Sequence, residues 1–448
     1  MKYEEFFKGK KITVMGLGLL GRGVGDAAFL AECGAEVIVT DLKSEEALTD
    51  SFNRLKDFSN ITFTLGEHKL EDFEGKDMIL VAAGVPLDSP YLAHARAQGV
   101  RLVQSAALFL ELAQIPVIGV TGTRGKSTVT HMIHHVLSVT TGEQIILGGN
   151  IRGVSNLQLL KEVKGDSLAV MELDSWQLQG FGWAELSPQI AVFTNFMDDH
   201  LNYYKGDRDA YFADKANIFR YQEESGVFIT TPEVFARAKE FAKGKDITLG
   251  QEVVLADASV LPEDSLLALP GEHNRLNAAL AYEALKAASL TDEEIFEGLA
   301  SFPGVPGRLE YVTEVNGVKI YNDNNATTPQ ATVAGITALA QNGARNLILI
   351  AGGADKLIDV APLAYAISTH CKNVMLLAGS GTDKLIPLLH GGEVGVSVFS
   401  ELKTAFEEAI RLAAPGDVIL FSPAFASFGM FKNEYDRNDQ FMEIVRAL

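Results

Sequence analysis

The chain is 448 residues long, 47% hydrophobic and 21% charged, an ordinary globular composition in a length too great for one core. Its net charge of −20 argues against nucleic acid or another polyanion as partner and leaves room only for a local basic pocket around a small phosphate ligand. Two cysteines far apart, Cys33 and Cys371, give no disulfide framework and suit a reducing cytoplasm, and neither a signal core nor an apolar run of about 18 residues marks a membrane span.

From Lys11 the predicted elements alternate short apolar strands with helices, the mark of a doubly wound α/β domain. "KITVMG" reads as a strand, "GLGLLGRGVGDAAFLAECG" as a turn and helix, and "AEVIVTD" as a strand ending in Asp41. "DMILVAAG" and "VRLVQSA" read as later strands of the same parallel sheet. Glycines 16, 18 and 21 fit G-x-G-x-x-G, a turn that lets backbone approach a diphosphate at a helix N-terminus. That fingerprint admits a nucleotide diphosphate, beside the plainer reading of a turn with glycine for packing; it does not show a nicotinamide. This first block covers residues 1–112.

The second block, 113–304, opens with the strand "PVIGVTG", which runs into "TGTRGKST" and the helix "STVTHMIHHVLSVT". Successive backbone N–H groups there make an anion nest, Lys126 supplies a point charge, and Ser127 and Thr128 offer hydroxyls to Mg²⁺. The strict G-x-x-x-x-G-K-[ST] pattern fails at Val120, and Gly122 gives a shorter G-x-x-G-K-S. "SLAVMELDS" and "QIAVFTN" are strands ending in polar residues, where ligand sites fall in open α/β sheets. Glu172 ends the first and suits a hard cation; "NFMDDHLNYY" sets Asp198, Asp199 and His200 at the end of the second. On spacing alone Lys215, in the helical "AYFADKANIF", reads as a surface lysine. His131, His134 and His135 have i, i+3, i+4 spacing but no adjoining acid or cysteine, so they read as a helix face rather than a zinc site. The helix "LPGEHNRLNAALAYEALKAA" and the hinge "FPGVPGR" close the block. The third, 305–448, repeats the alternation with "VKIYND", "NLILIAGG", "NVMLLAGSG" and "DVILFSPA". Three consecutive α/β domains are expected: a Rossmann-like nucleotide domain, a P-loop-type ATPase domain and a Rossmann-like C-terminal domain.

"GVTGTRGKST", "MELDSWQL", "NFMDDHLNYY", Lys215, "GEHNRLNAAL", "YNDNNATT" and "FSPAFASFGMFKNEYDRNDQF" follow one another as in the Mur ligases, and the chain resembles that family along essentially its whole length. The likeness is strongest to the glutamate-adding branch. The family's loop is the short GT-x-GK, so Val120 is no defect. The resemblance implies an ATP-dependent ligase of peptidoglycan precursor synthesis, serving cell-wall biogenesis, cell shape and division. Its substrates would be UDP-N-acetylmuramoyl-L-alanine, glutamate and ATP, with an acyl phosphate as intermediate, in a cytoplasmic monomer. The first fingerprint would then grip UDP through Gly18, Leu19, Leu20, Asp41 and Gly84. Asn150, Asp174 and Gln177 would contact the muramoyl part. Gly122, Thr123, Gly125, Lys126, Ser127 and Thr128 would hold the phosphates. Ser127 and Glu172 would ligate one Mg²⁺; His200 and a carbamylated Lys215 would serve a second. Asn274, Asn277, Arg308 and Asp323 would bind the rest of ATP, and Thr327, Lys356 and Ser427 the incoming amino acid.

Four positions depart from the glutamate-branch pattern: Asn325 stands for a lysine, Thr328 for an asparagine, Gly307 for a histidine and Glu434 for an aromatic residue. Losing a cation and gaining an acid weakens the capture of a dicarboxylate, so L-glutamate or another amino acid stays open beside D-glutamate. A nicotinamide-dependent oxidoreductase would use 16–21 and Asp41 but leave "TGTRGKST" and Glu172 idle. Folylpolyglutamate synthetase lacks a UDP-binding domain ahead of the loop.

Overall fold

The computed structural model describes residues 2–17, 21–86, 88–200, 202–245, 247–262, 271–340, 345–389 and 394–448. Gly18, Leu19 and Leu20 lie outside the described residues. Three sheets follow one another along the chain, as expected from the alternation of strands and helices. Chain contacts gather the first two into one compact unit, Met1–Ser265 with Leu276–Ala300, and the third into another, Leu266–Arg275 with Ser301–Leu448.

In the first unit, β1 (Lys11–Met15), β2 (Glu36–Asp41), β3 (Ile61–Leu65), β4 (Met78–Val81) and β5 (Arg101–Val103) form a parallel sheet in the order β3-β2-β1-β4-β5. The order reverses between β1 and β4, and that switch point is where such sheets bind ligands. The next sheet comprises β6 (Val117–Thr121), β7 (Ile145–Gly149), β8 (Leu168–Glu172), β9 (Ile190–Phe193), β10 (Val227–Thr230) and β11 (Glu252–Leu255). Its order is β11-β10-β9-β6-β8-β7, again all parallel. β6 is buried at every position and central, which explains the absence of polar side chains before its closing Thr121. The helix Lys126–Thr140 that follows buries Val129, Met132, Ile133, Val136 and Leu137, a stripe at helical spacing.

The two sheets of this unit are tied by polar contacts between the helix Arg22–Glu32 and the segment after β7. Asp26 Oδ1 accepts from Ser155 Oγ at 2.5 Å and from the Leu157 amide at 3.3 Å. Gln158 Nε2 donates to the Gly25 carbonyl at 3.2 Å, and a Cβ on Gly25 would sit 2.6 Å from Ser155 Cβ. Gln104 Oε1 accepts from the Gly180 amide at 2.9 Å.

In the second unit, β12 (Glu310–Val315), β13 (Val318–Asn322), β14 (Leu347–Gly352), β15 (Cys371–Leu377), β16 (Gly395–Phe399) and β17 (Val418–Phe421) give the order β12-β13-β17-β14-β15-β16. β12 and β13 form an antiparallel hairpin closed by Asn316 and Gly317, with φ of 52° and 78°, the backbone an Asn-Gly turn adopts most readily. Along β14, Leu347, Leu349 and Ala351 enter one core and Ile348 and Ile350 the other, so a helical layer covers each face. Among the described residues no helix is long and apolar enough to cross a membrane. Both cysteines are free and buried.

Candidate active site

The loop after β6 turns where its glycines allow. Gly122 has φ 146° and Gly125, at the helix N-terminus, φ 80°. A Cβ on Gly122 would lie 1.9 Å from Thr194 Oγ1, and one on Gly125 2.4 Å from Asn277 Oδ1, so neither position admits a side chain. Val120 is a buried strand residue, which is why the loop is short. The end of β9 braces it: the Thr123 amide donates to the Asn195 carbonyl and the Arg124 amide to Asn195 Oδ1, both at 2.9 Å. Met197 N–H donates to Thr123 Oγ1, also at 2.9 Å. Lys126 Nζ folds back over the loop, 3.1 Å from each of the Gly122 and Thr123 carbonyls. Thr123, Ser127 and Thr128 are buried beneath it.

Lys215 reaches the same carbonyl from the helix Arg208–Ala216, with Nζ 2.8 Å from Gly122 O and 3.4 Å from Thr121 Oγ1. It is 1% exposed, which overturns the surface reading its spacing alone suggested. Burial, and then repulsion from Lys126, push its pKa well below that of a free lysine, which favours the neutral amine. Tyr211, one turn earlier, lies beneath it with the ring centre 5.1 Å from Nζ. Glu172, 5% exposed at the end of β8, has Oε1 3.2 Å from Asn150 Nδ2 and its carbonyl 2.7 Å from the Asn150 amide. His200 has φ 53° and its amide donates to Asp199 Oδ1 at 3.0 Å. Its ring packs on Trp176 with centroids 4.6 Å apart, and burial lowers its pKa, keeping the imidazole neutral and able to coordinate. Asp199 pairs with Arg124 at 3.6 Å, while Asp198 is occupied by Arg208 at the surface. His131 turns back onto the Ser127 carbonyl, 2.8 Å from Nδ1.

At the β1/β4 switch point a cavity of about 250 Å³ is lined by Gly16, Leu17, Arg22, Ala82, Gln104 and Gln177 among others. Asp41 stands beside the turn: Oδ2 accepts from the Leu17 amide and Oδ1 from the Lys43 amide, each at 2.9 Å. A Cβ on Gly84 would meet the Trp176 ring at 3.7 Å. Asp174 and Gln177 cap the helix Ser175–Ala184 reciprocally, Asp174 Oδ1 accepting from Gln177 N–H at 2.8 Å and Gln177 Oε1 from Asp174 N–H at 3.3 Å. Beyond β9 and β10 a second cavity, of about 650 Å³, is lined by Asn195, Phe196, Met197, Arg208, Thr231 and Leu276 among others.

In the second unit Lys356 Nζ donates to Thr327 Oγ1 at 2.9 Å, and Ser427 is buried. Asp323 accepts from the Leu309 amide at 3.1 Å and Ser422 Oγ at 2.8 Å; burial pushes its carboxyl up to about 7, with Arg308 pulling the other way. Arg437, fully buried, binds Asn324 Oδ1 through Nε at 2.8 Å and the Phe425 carbonyl through Nη1 at 3.2 Å, tying the loops that carry Thr327 and Ser427. The departures at 307 and 325 fit one another. Gly307 has φ 71°, a Cβ there would lie 3.1 Å from Asn325 Nδ2, and the Asn325 amide donates to the Gly307 carbonyl at 2.9 Å. Glu434 opens the helix Glu434–Arg446, and its carbonyl accepts from Asn324 Nδ2 at 2.9 Å. Asn274 and Asn277 are both buried.

Three family profiles match in sequence: the Mur ligase MurD-like N-terminal domain over residues 10–104, the Mur ligase middle domain over 120–285, and the Mur ligase glutamate ligase domain over 307–425. A UDP-N-acetylmuramoylalanine–D-glutamate ligase of Roseiflexus sp. (strain RS-1) is 35% identical, covering 98% of this chain and 99% of its own length. The chain belongs to the Mur ligase family. A second relative of the same name, from Borreliella burgdorferi (strain ATCC 35210), is 33% identical over 98% of both chains. Solved Mur ligases share the three-sheet fold. UDP-N-acetylmuramate-alanine ligase MurC of Thermotoga maritima superposes with a TM-score of 0.62 at 18% identity, covering 98% of this chain and 99% of that one. MurF of the same organism gives 0.61 at 16% identity, covering 100% and 96%. The nicotinamide reading of the glycine turn falls with this membership, and the MurD-like N-terminal domain matched over residues 10–104 removes the folylpolyglutamate reading.

Sequence reasoning passed over Arg22, Gln104 and Tyr211. Tyr211 precedes Lys215 by four residues on one helix face, a spacing that could have pointed to it. Arg22 and Gln104 carry no local signal, since their partners Asn150 and Gly180 are distant in sequence.

Proposed function

We propose that this Mur ligase couples ATP hydrolysis to the joining of D-glutamate to UDP-N-acetylmuramoyl-L-alanine, as its relatives' names imply. The observation that carries the reading is the convergence of Lys126 and Lys215 on one carbonyl, Gly122 O, at 3.1 and 2.8 Å. Two ammonium groups on one acceptor repel, which favours a neutral amine at one of them, and burial lowers the pKa of Lys215 well below that of a free lysine. A neutral amine adds to CO₂, forming an N–C bond and releasing a proton. The resulting carbamate is an anion beside Lys126, where repulsion becomes attraction.

The donor set fits magnesium. Glu172 is a buried carboxylate held by Asn150, Ser127 offers a hydroxyl one residue after Lys126, and a small hard cation takes its remaining ligands from phosphate and water. Glu172 and Ser127 would hold one Mg²⁺, His200 and the Lys215 carbamate a second. Bound there, the ions would neutralise charge on the transferring phosphoryl group. The phosphates would lie on the amides of Gly122 to Thr128 with Lys126 turned to meet them, and the base in the 650 Å³ cavity beside Leu276, with Asn277 assigned to the nucleotide from sequence. Asn274, Arg308 and Asp323 would complete nucleotide binding. The UDP-sugar would occupy the switch-point cavity near Asp41 and Gly84, reaching Asn150, Asp174 and Gln177; Gly18, Leu19 and Leu20 are assigned to it from sequence. Thr327, Lys356 and Ser427 would hold glutamate. A monomer in the cytoplasm is the expected working form.

A muramoyl-alanine carboxylate oxygen would attack the γ-phosphorus and expel ADP, giving an acyl phosphate. The glutamate nitrogen would then attack that carbonyl carbon, lose a proton, and expel phosphate from the tetrahedral adduct. D-Glutamate is favoured over the L-enantiomer because full-length relatives carry that specificity in their names, while Gly307 and Asn325 lie against one another in the second unit. Phosphate release from ATP, with UDP-N-acetylmuramoyl-L-alanine fixed and D-glutamate, L-glutamate, D-aspartate and neutral amino acids varied, tests this reading. A preference for L-glutamate would overturn the stereochemical assignment.

A further inference from the structure

The half-buried guanidinium of Arg22 lines the switch-point cavity of the first sheet and also leaves that sheet to contact the second. Its Nη1 donates to Asn150 Oδ1 at 2.6 Å. Asn150 Nδ2 in turn donates to Glu172 Oε1 at 3.2 Å. The chemistry of the two ends fixes the amide between them: a guanidinium can only donate, so it must face Oδ1, and a carboxylate can only accept, so it must face Nδ2. The backbone around the chain of contacts is equally constrained. A Cβ on Gly23 would lie 2.5 Å from the Leu17 carbonyl, which locks the first turn of the helix Arg22–Glu32 against the glycine turn. A Cβ on Gly149 would lie 2.0 Å from the Glu172 carbonyl, and the Asn150 amide is bonded to that same carbonyl at 2.7 Å.

We propose that Arg22 is a positioning residue that couples filling of the sugar-nucleotide cavity to the Glu172 carboxylate through Asn150. The inference rests on the ligase reading above. An arginine presents five N–H donors in a rigid fork, so the group that fixes Asn150 keeps donors for a phosphate in the cavity it lines. A diphosphate bound there immobilises the guanidinium, the guanidinium holds the amide, and the amide holds Glu172 where a cation and the ATP phosphates need it. Acyl phosphate chemistry gains from such an order, because ATP bound without an acceptor meets an unassembled carboxylate and is spared wasteful hydrolysis. Lysine, a single point charge, cannot serve phosphate and amide in the same way.

The test is the affinity of ADP with excess Mg²⁺, measured by calorimetry with and without saturating UDP-N-acetylmuramoyl-L-alanine. In the parent protein the sugar nucleotide should tighten ADP by about tenfold, an ordinary size for coupling between sites. In Arg22→Met the ratio should fall to about one, while ADP affinity without the sugar nucleotide stays at the parent value. Arg22→Lys should keep most sugar-nucleotide affinity yet also give a ratio near one, so the result does not depend on the methionine variant folding. Adding Asn150→Ala to Arg22→Met should remove no further coupling. A parent ratio of one, or the parent ratio retained in Arg22→Met or Arg22→Lys, overturns the proposal. A parent protein that fails to bind UDP-N-acetylmuramoyl-L-alanine at all overturns the ligase reading and this inference with it.

Discussion

Replacing Lys215 by methionine separates its chemical role from any structural one. The side chain is 1% exposed, and Met nearly preserves its volume, a kind of swap that costs under about 1.5 kcal/mol in a packed site. The Gly122 carbonyl is not orphaned, because Lys126 Nζ remains 3.1 Å away. The variant also removes a buried amine whose charged form is disfavoured, which offsets part of the packing loss. Stability should therefore change little, with Tm within about 5 °C of the parent for a unit of this size. Turnover should fall about a hundred- to a thousandfold, the scale of losing one preorganised electrostatic group. In CO₂-stripped buffer, added bicarbonate should raise both phosphate release and Tm of the parent and neither in Lys215→Met. The pH dependence has a definite sign. In the CO₂-free folded protein burial holds the Lys215 pKa well below that of the unfolded chain, which binds a proton there up to about pH 10.4, so stability rises with pH from the depressed folded pKa toward that value and falls as pH drops through the same window. Lys215→Met should lack that slope. Parental phosphate release in the variant, or a Tm drop of about 20 °C, would refute the reasoning.

Lys126→Ala should abolish phosphate release and weaken ADP binding while leaving UDP-N-acetylmuramoyl-L-alanine affinity unchanged by calorimetry, because Lys126 lies over the β6 loop and not at the switch-point cavity. Asp323→Asn should stabilise the protein at pH 8 relative to pH 5: the folded carboxyl titrates near 7, so the parent loses stability as pH rises through the carboxylate range to 7, by about 1.4 kcal/mol per unit of elevation, and the amide removes that loss in chemical denaturation. Asn325→Lys and Glu434→Phe, which restore the branch pattern, should leave the D- over L-glutamate preference intact; a reversal in either variant would show that these positions set the amino acid.

The parts of this molecule legible in its sequence are those where one local constraint leaves few choices. Gly122 and Gly125 could be read because left-handed backbone and close approach to Thr194 and Asn277 demand glycine. β6 and β14 could be read because strands covered on both faces are apolar along nearly their whole length. Lys215 could not: its helix looks amphipathic and polar, and its burial comes from β6 and the Gly122 carbonyl, 93 residues earlier. Only the order of motifs along the chain pointed to its role. Asp174 and Gln177, assigned to substrate from that order, serve also as a capping pair, which their spacing of three residues permits on sequence grounds alone. The mutual fit of Gly307 and Asn325 was equally hidden, since each departure seen singly looks like damage to a pocket. Arg22, Asn150 and Glu172 meet only through the packing of two sheets, and no local pattern announces such a line of contacts.

The most direct test of the central claim is phosphate release from ATP measured with UDP-N-acetylmuramoyl-L-alanine and D-glutamate each added alone and then together. The account predicts release only when both are present with Mg²⁺, stoichiometric with a new amide product in which glutamate is joined to the sugar nucleotide. Phosphate released at the same rate without the sugar nucleotide, or no product with any amino acid in the panel, would contradict it.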